Sequence, residues 1–286
     1  MVRLGGGRDF LEKVLKERVD FVFNIAEGRG TFRSREGQVP SVLEMLGIPY
    51  SFSDPLTLAI SLDKPLTKRL VAEAGVAVAP EWVVGTRAEL EALCASPPEF
   101  PLFAKPAFEG SSKGIRNSSL LKNRGELWDR VGEMLSNYSQ PVLVEAFIEG
   151  DEYTVGVLGN DPPAAIGAVR VRPKSGPDPS FVYSVEAKRD WQNQLAYDVP
   201  PPLHGDALNR LYADAVKAFG AIGCRDVARV DFRLKDGVPV LLEINPLPGL
   251  SPAYGDLPLL ARGMGLSYPD LMRRMLSASF TRCGLV

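Results

Sequence analysis

The chain has a single histidine, His204, and only three cysteines, Cys94, Cys224 and Cys283, among 286 residues. One imidazole excludes His-rich zinc sites and leaves histidine-based acid–base chemistry without a partner. An odd number of widely spaced cysteines builds no disulfide framework and suits a reducing compartment, so the expected location is the cytoplasm. There is no basic run, and the formal net charge is −2, which argues against nucleic acid as a partner. No apolar stretch approaches the roughly 20 residues that span a bilayer, and the N-terminus carries no signal-peptide apolar region, so no membrane partner is expected. Internal repeats and low-complexity segments are also missing. What is present, 45% hydrophobic and 24% charged residues, is ordinary globular composition, long enough for one to three compact units.

The stretch from Asp226 to Ser251 organises the rest. Two alternating runs flank Lys235-Asp236-Gly237 and predict a β-hairpin. Ala228, Val230, Phe232 and Leu234 form one face of the first strand, and Val238, Val240, Leu242 and Ile244 one face of the second. Both sets belong on the core side. A two-residue Asp-Gly turn would place them on opposite sides, whereas a three-residue Lys-Asp-Gly loop with Gly237 left-handed pairs 234 with 238 and keeps them together. That register sends Arg229, Asp231, Glu243 and Asn245 to the other face, with Glu243 opposite Arg229 and diagonal to Asp231. Two carboxylates and an amide oxygen there make either a hard-cation site suited to Mg²⁺ or the solvated face of an amphipathic hairpin. Asn245 then runs into Pro246-Leu247-Pro248-Gly249, a rigid turn that aims backbone N–H groups.

Earlier in the chain, Asp9–Glu17 shows helical spacing, Val19–Ile25 reads as a buried strand, Gln38–Leu46 as a helix and Ile48–Tyr50 as a brief strand, a βαβ-like alternation. Gly5-Gly6-Gly7 lacks dinucleotide-loop spacing. Pro55–Leu62 and Pro65–Ala74 read as helices, and Thr86-Arg87-Ala88-Glu89 as a capping box. Leu102–Lys105 is a strand, followed by the Gly/Ser loop Pro106–Gly114. Small residues let backbone N–H groups approach phosphate oxygens there, and Lys105 adds a point charge. Such a loop is also, on its own, simply a loop. Glu145 ends one strand and Glu152 starts the next, with Phe147 and Ile148 between: either exposed glutamates at a junction, or ribose and adenine contacts. Arg172–Pro202 is polar, Pro-rich and without periodicity, a lid or a disordered run, and Lys188 lies within it.

Taken in order, these pieces resemble the ATP-grasp superfamily and, within it, the D-alanine–D-alanine ligases. Asp63-Lys64 and Lys105-Pro106-x-x-Glu109-Gly110-Ser111-Ser112-x-Gly114 are similar to that family's phosphate-binding lysines and loop. Val144-Glu145-x-Phe147-Ile148-x-Gly150-x-Glu152 resembles its adenine hinge and ribose carboxylates, and Glu186-Ala187-Lys188 the lysine of its substrate-covering loop. Arg229-Val230-Asp231 and Leu242-Glu243-Ile244-Asn245-x-x-Pro248-Gly249 resemble its oxyanion arginine, metal ligands and closing turn. The match covers about residues 19–276.

The resemblance implies an ATP-grasp fold, α/β plus α+β, in three parts: a truncated N-terminal α/β unit (1–52), a central lid (53–145) and a C-terminal metal-binding unit (146–286). It implies an ATP-dependent ligase joining a carboxylate to an amine through an acyl phosphate. Lys64, Lys105, Glu145, Phe147, Ile148 and Glu152 would bind ATP. Asp231, Glu243 and Asn245 would hold two Mg²⁺ ions, for which Mn²⁺ could substitute. Arg229, Lys188, Ser111 and Gly249 would act on the reacting groups. The expected partners are small molecules, an amino acid or small carboxylate plus an amine, and a second copy in a homodimer. Two departures stand out. The family's opening strand, glycine turn and amine-orienting glutamate have no counterpart here, which leaves two alternatives: a ligase for other amino acids or small acids, or a nucleotide-binding protein that has lost ligation. And where a serine for the second substrate's carboxylate is expected, the chain carries Ser251–Pro258 with Asp256, either a helix cap or a pocket residue.

Overall fold

The computed structural model describes residues 1–286. In chain order its strands are β1 (Ala77–Val78), β2 (Glu81–Val84), β3 (Leu102–Pro106), β4 (Leu120–Leu121), β5 (Val142–Ala146), β6 (Glu152–Leu158), β7 (Ala164–Pro173), β8 (Leu195–Asp198), β9 (Val227–Lys235) and β10 (Val238–Asn245). They form a six-stranded sheet, β1-β10-β9-β6-β7-β8, and a four-stranded one, β2-β5-β3-β4. β1 runs parallel to β10, and the other pairs are antiparallel.

Each sheet buries one face under helices, and helices Asp256–Gly263 and Tyr268–Arg282 cover part of the large sheet's other face. On the large sheet, Val71 of helix Lys64–Glu73 and Leu211, Ala215 and Phe219 of helix Gly205–Ala221 close over Val155, Val230, Phe232 and Leu241. On the small sheet, Leu90 of helix Arg87–Ala95 and Leu127, Val131 and Met134 of helix Arg124–Tyr138 cover Leu102, Ala104, Val142 and Val144. Thr86 and Glu89 form the capping box that starts the first of these helices. Because side chains alternate along a strand, Phe103, Lys105 and Glu145 are left facing away from that core, toward the large sheet. Helices Pro55–Leu62 and Lys64–Glu73 precede the small sheet in the chain but pack with the large one.

Three sequence expectations change. The strands expected at Val19–Ile25 and Ile48–Tyr50 reduce to a single parallel bridge, Val22 to Tyr50, and Ile25 is exposed. With no further partner on either side, no ladder propagates. The segment 172–202 holds helices Val185–Arg189 and Trp191–Gln194 and strand β8, around a small core of Phe181, Tyr183, Ala187 and Leu195. These elements are too short to show a period.

The third change concerns the hairpin. Val238 pairs with Lys235 around a two-residue turn whose Asp236 and Gly237 both have positive φ, 51° and 78°, the geometry favoured by strand twist. The register stays regular to Leu241 opposite Phe232, then shifts by one at Leu242, so that Glu243 faces Asp231, Ile244 faces Val230 and Asn245 faces Arg229. The two-residue turn therefore forms after all, and a β-bulge repairs the mismatch it creates. Leu241 and Ile244 enter the core of the large sheet, whereas Val240 packs with Ala79 and Ile148. Leu242 lines a cavity between the two sheets.

Candidate active site

That cavity, with the open solvent at its mouth included, encloses about 630 Å³. Ala79, Phe103, Phe147, Ile148 and Leu242 make one end apolar, with the Phe103 and Phe147 rings 6.1 Å apart. The buried Arg233 holds this end in shape. It donates to the carbonyls of Ile148 (2.7 Å) and Phe181 (2.6 Å), and its guanidinium lies 4.8 Å from the Phe147 ring centre. Glu152 stands 3.9 Å from Arg233, and burial pushes its carboxyl up to about 7 although Arg233 opposes the rise.

The other end is cationic. Lys105 Nζ lies 2.6 Å from Glu145 Oε2 and 3.5 Å from the Leu242 carbonyl. The opposite oxygen of Glu145 meets Lys68, which also lies 3.9 Å from Glu81. Lys68, Lys105 and Glu145 are all buried. Glu145, expected on ribose or adenine, thus lines the cavity with its carboxylate committed to two lysines. Buried ammoniums need a counterion, and Glu145 is the one between them. Burial still pushes Lys68 down to about 8 and Lys105 well below the usual lysine range.

Lys64 opens its helix behind Asp63, whose side chain accepts from the Leu66 amide. Its ammonium donates to the Glu109 carbonyl and lies 3.7 Å from Glu243. Glu109 anchors the Gly/Ser loop: it pairs with Arg35 of the N-terminal unit at 3.1 Å and accepts from Gln140 at 3.0 Å. Ser111 and Ser112 take left-handed φ of 52° and 57°, a strained conformation typical of loops whose amides converge on a ligand. Ser112 lines the first cavity. Ser111 lines a second cleft of about 440 Å³ with Lys64, Asn245, Glu27 and Glu36. Burial pushes Glu36 up to about 7. Glu243 borders both spaces.

At that junction Arg229 Nη2 reaches Asp231 (2.9 Å) and Glu243 (3.4 Å), and the Asn245 amide lies 3.3 Å from both carboxylates. Thr154 donates to the second Asp231 oxygen at 2.7 Å. Burial would raise Glu243, but Lys64, Arg229, Lys105 and Lys188 outweigh it and bring the carboxyl down to about 2. Two carboxylates facing across one ladder rung, with an amide touching both, fit a hard cation such as Mg²⁺: the donors are all oxygen once the amide turns its carbonyl inward. Lys188, on helix Val185–Arg189, lines the first cavity and lies 4.2 Å from the Tyr183 ring centre. Gly249 is exposed, and its amide has no backbone acceptor. Asp256 does not cap its helix. Gly255 holds the cap position without a side-chain bond, and Asp256 instead accepts from Arg229 at 2.6 Å and Tyr183 at 3.1 Å.

The structure brings together Lys64, Lys105, Lys188, Glu152, Asp231, Glu243, Asn245 and Arg229 around two adjoining cavities. Lys68, Arg233, Glu27 and Glu36 were not singled out from sequence. For two of them a signal existed: Lys68 lies one helical turn after Lys64, and Arg233 continues the period-two series of Arg229 and Asp231.

Two helix-backed sheets closing on a cavity, with lysines and paired carboxylates at one end, make up an ATP-grasp fold. Residues 70–277 match the family described as D-ala D-ala ligase C-terminus. The D-alanine–D-alanine ligase of Syntrophotalea carbinolica is 34% identical over 98% of this chain and 85% of its own. That of Pelotomaculum thermopropionicum is 30% identical over 99% and 87%. The Bacillus anthracis D-alanine–D-alanine ligase, solved with ATP, shares the fold with a TM-score of 0.74 at 24% identity, covering 96% of this chain and 84% of that one. The chain belongs to the D-alanine–D-alanine ligase family. No helix is long and apolar enough to cross a membrane.

Proposed function

We propose that the protein activates the carboxylate of an amino acid, D-alanine being the first candidate from its relatives, and passes the acyl group to an amine. The observation that carries this reading is the setting of Glu243, 3.7 Å from Lys64 and 3.4 Å from Arg229, where the cavity between the sheets meets the Ser111 cleft.

ATP lies with its base among Phe103, Phe147 and Leu242, its ribose at Glu152 and its phosphates toward Lys105, Lys64 and the 106–114 loop. The donor carboxylate sits in the Ser111 cleft and attacks the γ-phosphorus in line, giving an acyl phosphate and ADP. Asp231, Glu243 and Asn245 are the residues that would hold two Mg²⁺ ions, which when bound would neutralise phosphate charge. Lys64, Lys105 and Lys188 add charge on the transferring group. The amine then attacks the acyl carbon, and Arg229 with the Gly249 N–H stabilises the oxyanion. The 172–202 segment, carrying Lys188, keeps water from the acyl phosphate. The unpaired cysteines and the use of ATP agree with a cytoplasmic setting.

The test is ADP release from ATP and Mg²⁺ with single D- and L-amino acids, with hydroxylamine added to trap the acyl phosphate as a hydroxamate. A donor-dependent hydroxamate is expected. Nucleotide binding without hydroxamate from any donor would refute the ligase reading.

A further inference from the structure

We infer that Arg35, a residue of the N-terminal unit, is a positioning residue for the Gly/Ser loop: it fixes the loop's first turn from outside the lid and so holds Ser111 and Ser112 where their amides meet nucleotide phosphates. The inference rests on the phosphate role proposed above for residues 106–114 and adds the group that keeps this loop in shape.

Arg35 is 6% exposed, and its seat is closed by backbone on both sides. It opens the short helix Arg35–Gly37. A Cβ on Gly28 would overlap the Arg35 carbonyl oxygen, and one on Gly37 would fall 2.9 Å from that of Pro55. From this seat the guanidinium forks. Its Nη1 donates to the Phe108 carbonyl at 2.9 Å and its Nη2 to Glu109 Oε2 at 3.1 Å. A guanidinium held by one main-chain and one side-chain acceptor sets direction as well as distance. Gln140 completes the turn, accepting from the Phe108 amide at 2.7 Å and donating to Glu109 Oε1 at 3.0 Å.

Just beyond, Ser111 and Ser112 both hold left-handed φ, a conformation that serine keeps only when its surroundings over-determine it. The loop's far end is held within the lid, where Arg130 Nη2 donates to the Gly114 carbonyl at 3.1 Å. Its near end depends on Arg35. Without that side chain the Phe108 carbonyl loses the donor it has, and Glu109 keeps Lys113 as its ion-pair partner, 3.6 Å away and 65% exposed. Lys113 lies past the two serines in the chain, so its pull acts across them and lets them relax toward ordinary φ. The apolar end of the cavity, with Phe103, Phe147 and Leu242, is a separate wall that Arg35 does not line. Loss of Arg35 is therefore felt at the phosphates and not at the base.

The experiment measures the affinity of the full chain for ATP and for adenosine by calorimetry with Mg²⁺ present. It compares wild type, Arg35→Lys, and Arg35→Met combined with Glu109→Gln, each confirmed folded by circular dichroism. The double variant removes the pair without changing net charge or stranding a carboxylate. Its ATP affinity should fall about tenfold, the size of one lost hydrogen bond to a charged group, while its adenosine affinity holds. Arg35→Lys keeps the charge but has no fork, and should lose a smaller factor in ATP alone. A merely structural prop would lower both ligands together or neither. An unchanged ratio of ATP to adenosine affinity in the double variant, or in Arg35→Lys should only that one fold, overturns the inference alone. A wild type that binds ATP no more tightly than adenosine refutes the phosphate role of the loop instead.

Discussion

Replacing Glu145 by glutamine should destabilise the fold far more than it weakens nucleotide binding. Its carboxylate lies between Lys105 at 2.6 Å and Lys68, and all three side chains are buried at no more than 5% exposure. Removing one member of a buried ion pair costs about 3–5 kcal/mol, and here one substitution strands Lys105 and leaves Lys68 only Glu81, 3.9 Å away. The lysines limit the loss by shedding protons: burial already brings Lys68 down to about 8, and without the carboxylate both fall further. The sign follows from linkage. A lysine with a depressed folded value binds fewer protons folded than unfolded, so stability rises with pH from its folded value up to the ordinary lysine value near 10.5. Glu145→Gln should therefore lose about 3–5 kcal/mol at pH 6.5 and clearly less at pH 9, while Lys68→Met in the same background restores part of the loss. Urea unfolding of the wild type and the two variants at both pH values measures this. Adenosine affinity should change little. A loss below about 1 kcal/mol at pH 6.5, or one that grows with pH, would show that Glu145 is not the lysines' counterion.

Glu243→Gln should abolish ADP release while the protein still folds, with a lowered melting temperature because Lys64 and Arg229 lose a counter-charge; turnover above roughly a tenth of wild type would sink the metal assignment. Glu152, raised to about 7 by burial, should accept both ribose hydroxyls best when ionised. Calorimetry should show adenosine affinity rising from pH 6 to pH 8 in the wild type and staying flat in Glu152→Gln, and a slope that survives the substitution points to another group. The 172–202 segment should be cut by protease in the free protein and protected by ATP with both substrates, and Lys188→Ala should lower kcat with little change in ATP affinity. Equal cleavage rates under the two conditions would remove the argument for closure.

Most of the site was legible because its residues follow simple periods. Arg229 and Asp231 alternate along β9, Glu243 and Asn245 along β10, and the strand–loop order of Lys105 through Gly114 needs no long-range knowledge. Glu145 and Lys68 were not legible as a pair. Nothing local says that residues 77 positions apart share one buried pocket, and a glutamate beside Phe147 and Ile148 reads naturally as a ligand contact. Asp256 was undecidable from sequence, since a helix start and a pocket wall call for the same residue. What excludes the cap is tertiary: Gly255 holds the cap position, and Asp256 accepts from Arg229 and Tyr183 instead.

The hairpin shows how a pattern can be read correctly and still give the wrong register. Val240, Leu242 and Ile244 are all apolar, so alternation assigns them one face. Yet only Ile244 lies in the large-sheet core, with Leu241 beside it. Leu242 is apolar because it lines the nucleotide cavity, and Val240 because it packs on Ala79 and Ile148. Continuing the turn-side register without the shift would set Glu243 opposite Val230 and Ile244 opposite Arg229. A carboxylate would then point into a dry core, at a cost of several kcal/mol, and the metal-type pair would lose one member. The bulge at Leu242 prevents both, bringing Glu243 level with Asp231 and turning Leu242 into the cavity wall. One extra residue in the ladder thus sets the spacing between nucleotide cavity and carboxylate pair, so this irregularity belongs to the active site as much as any charged group does.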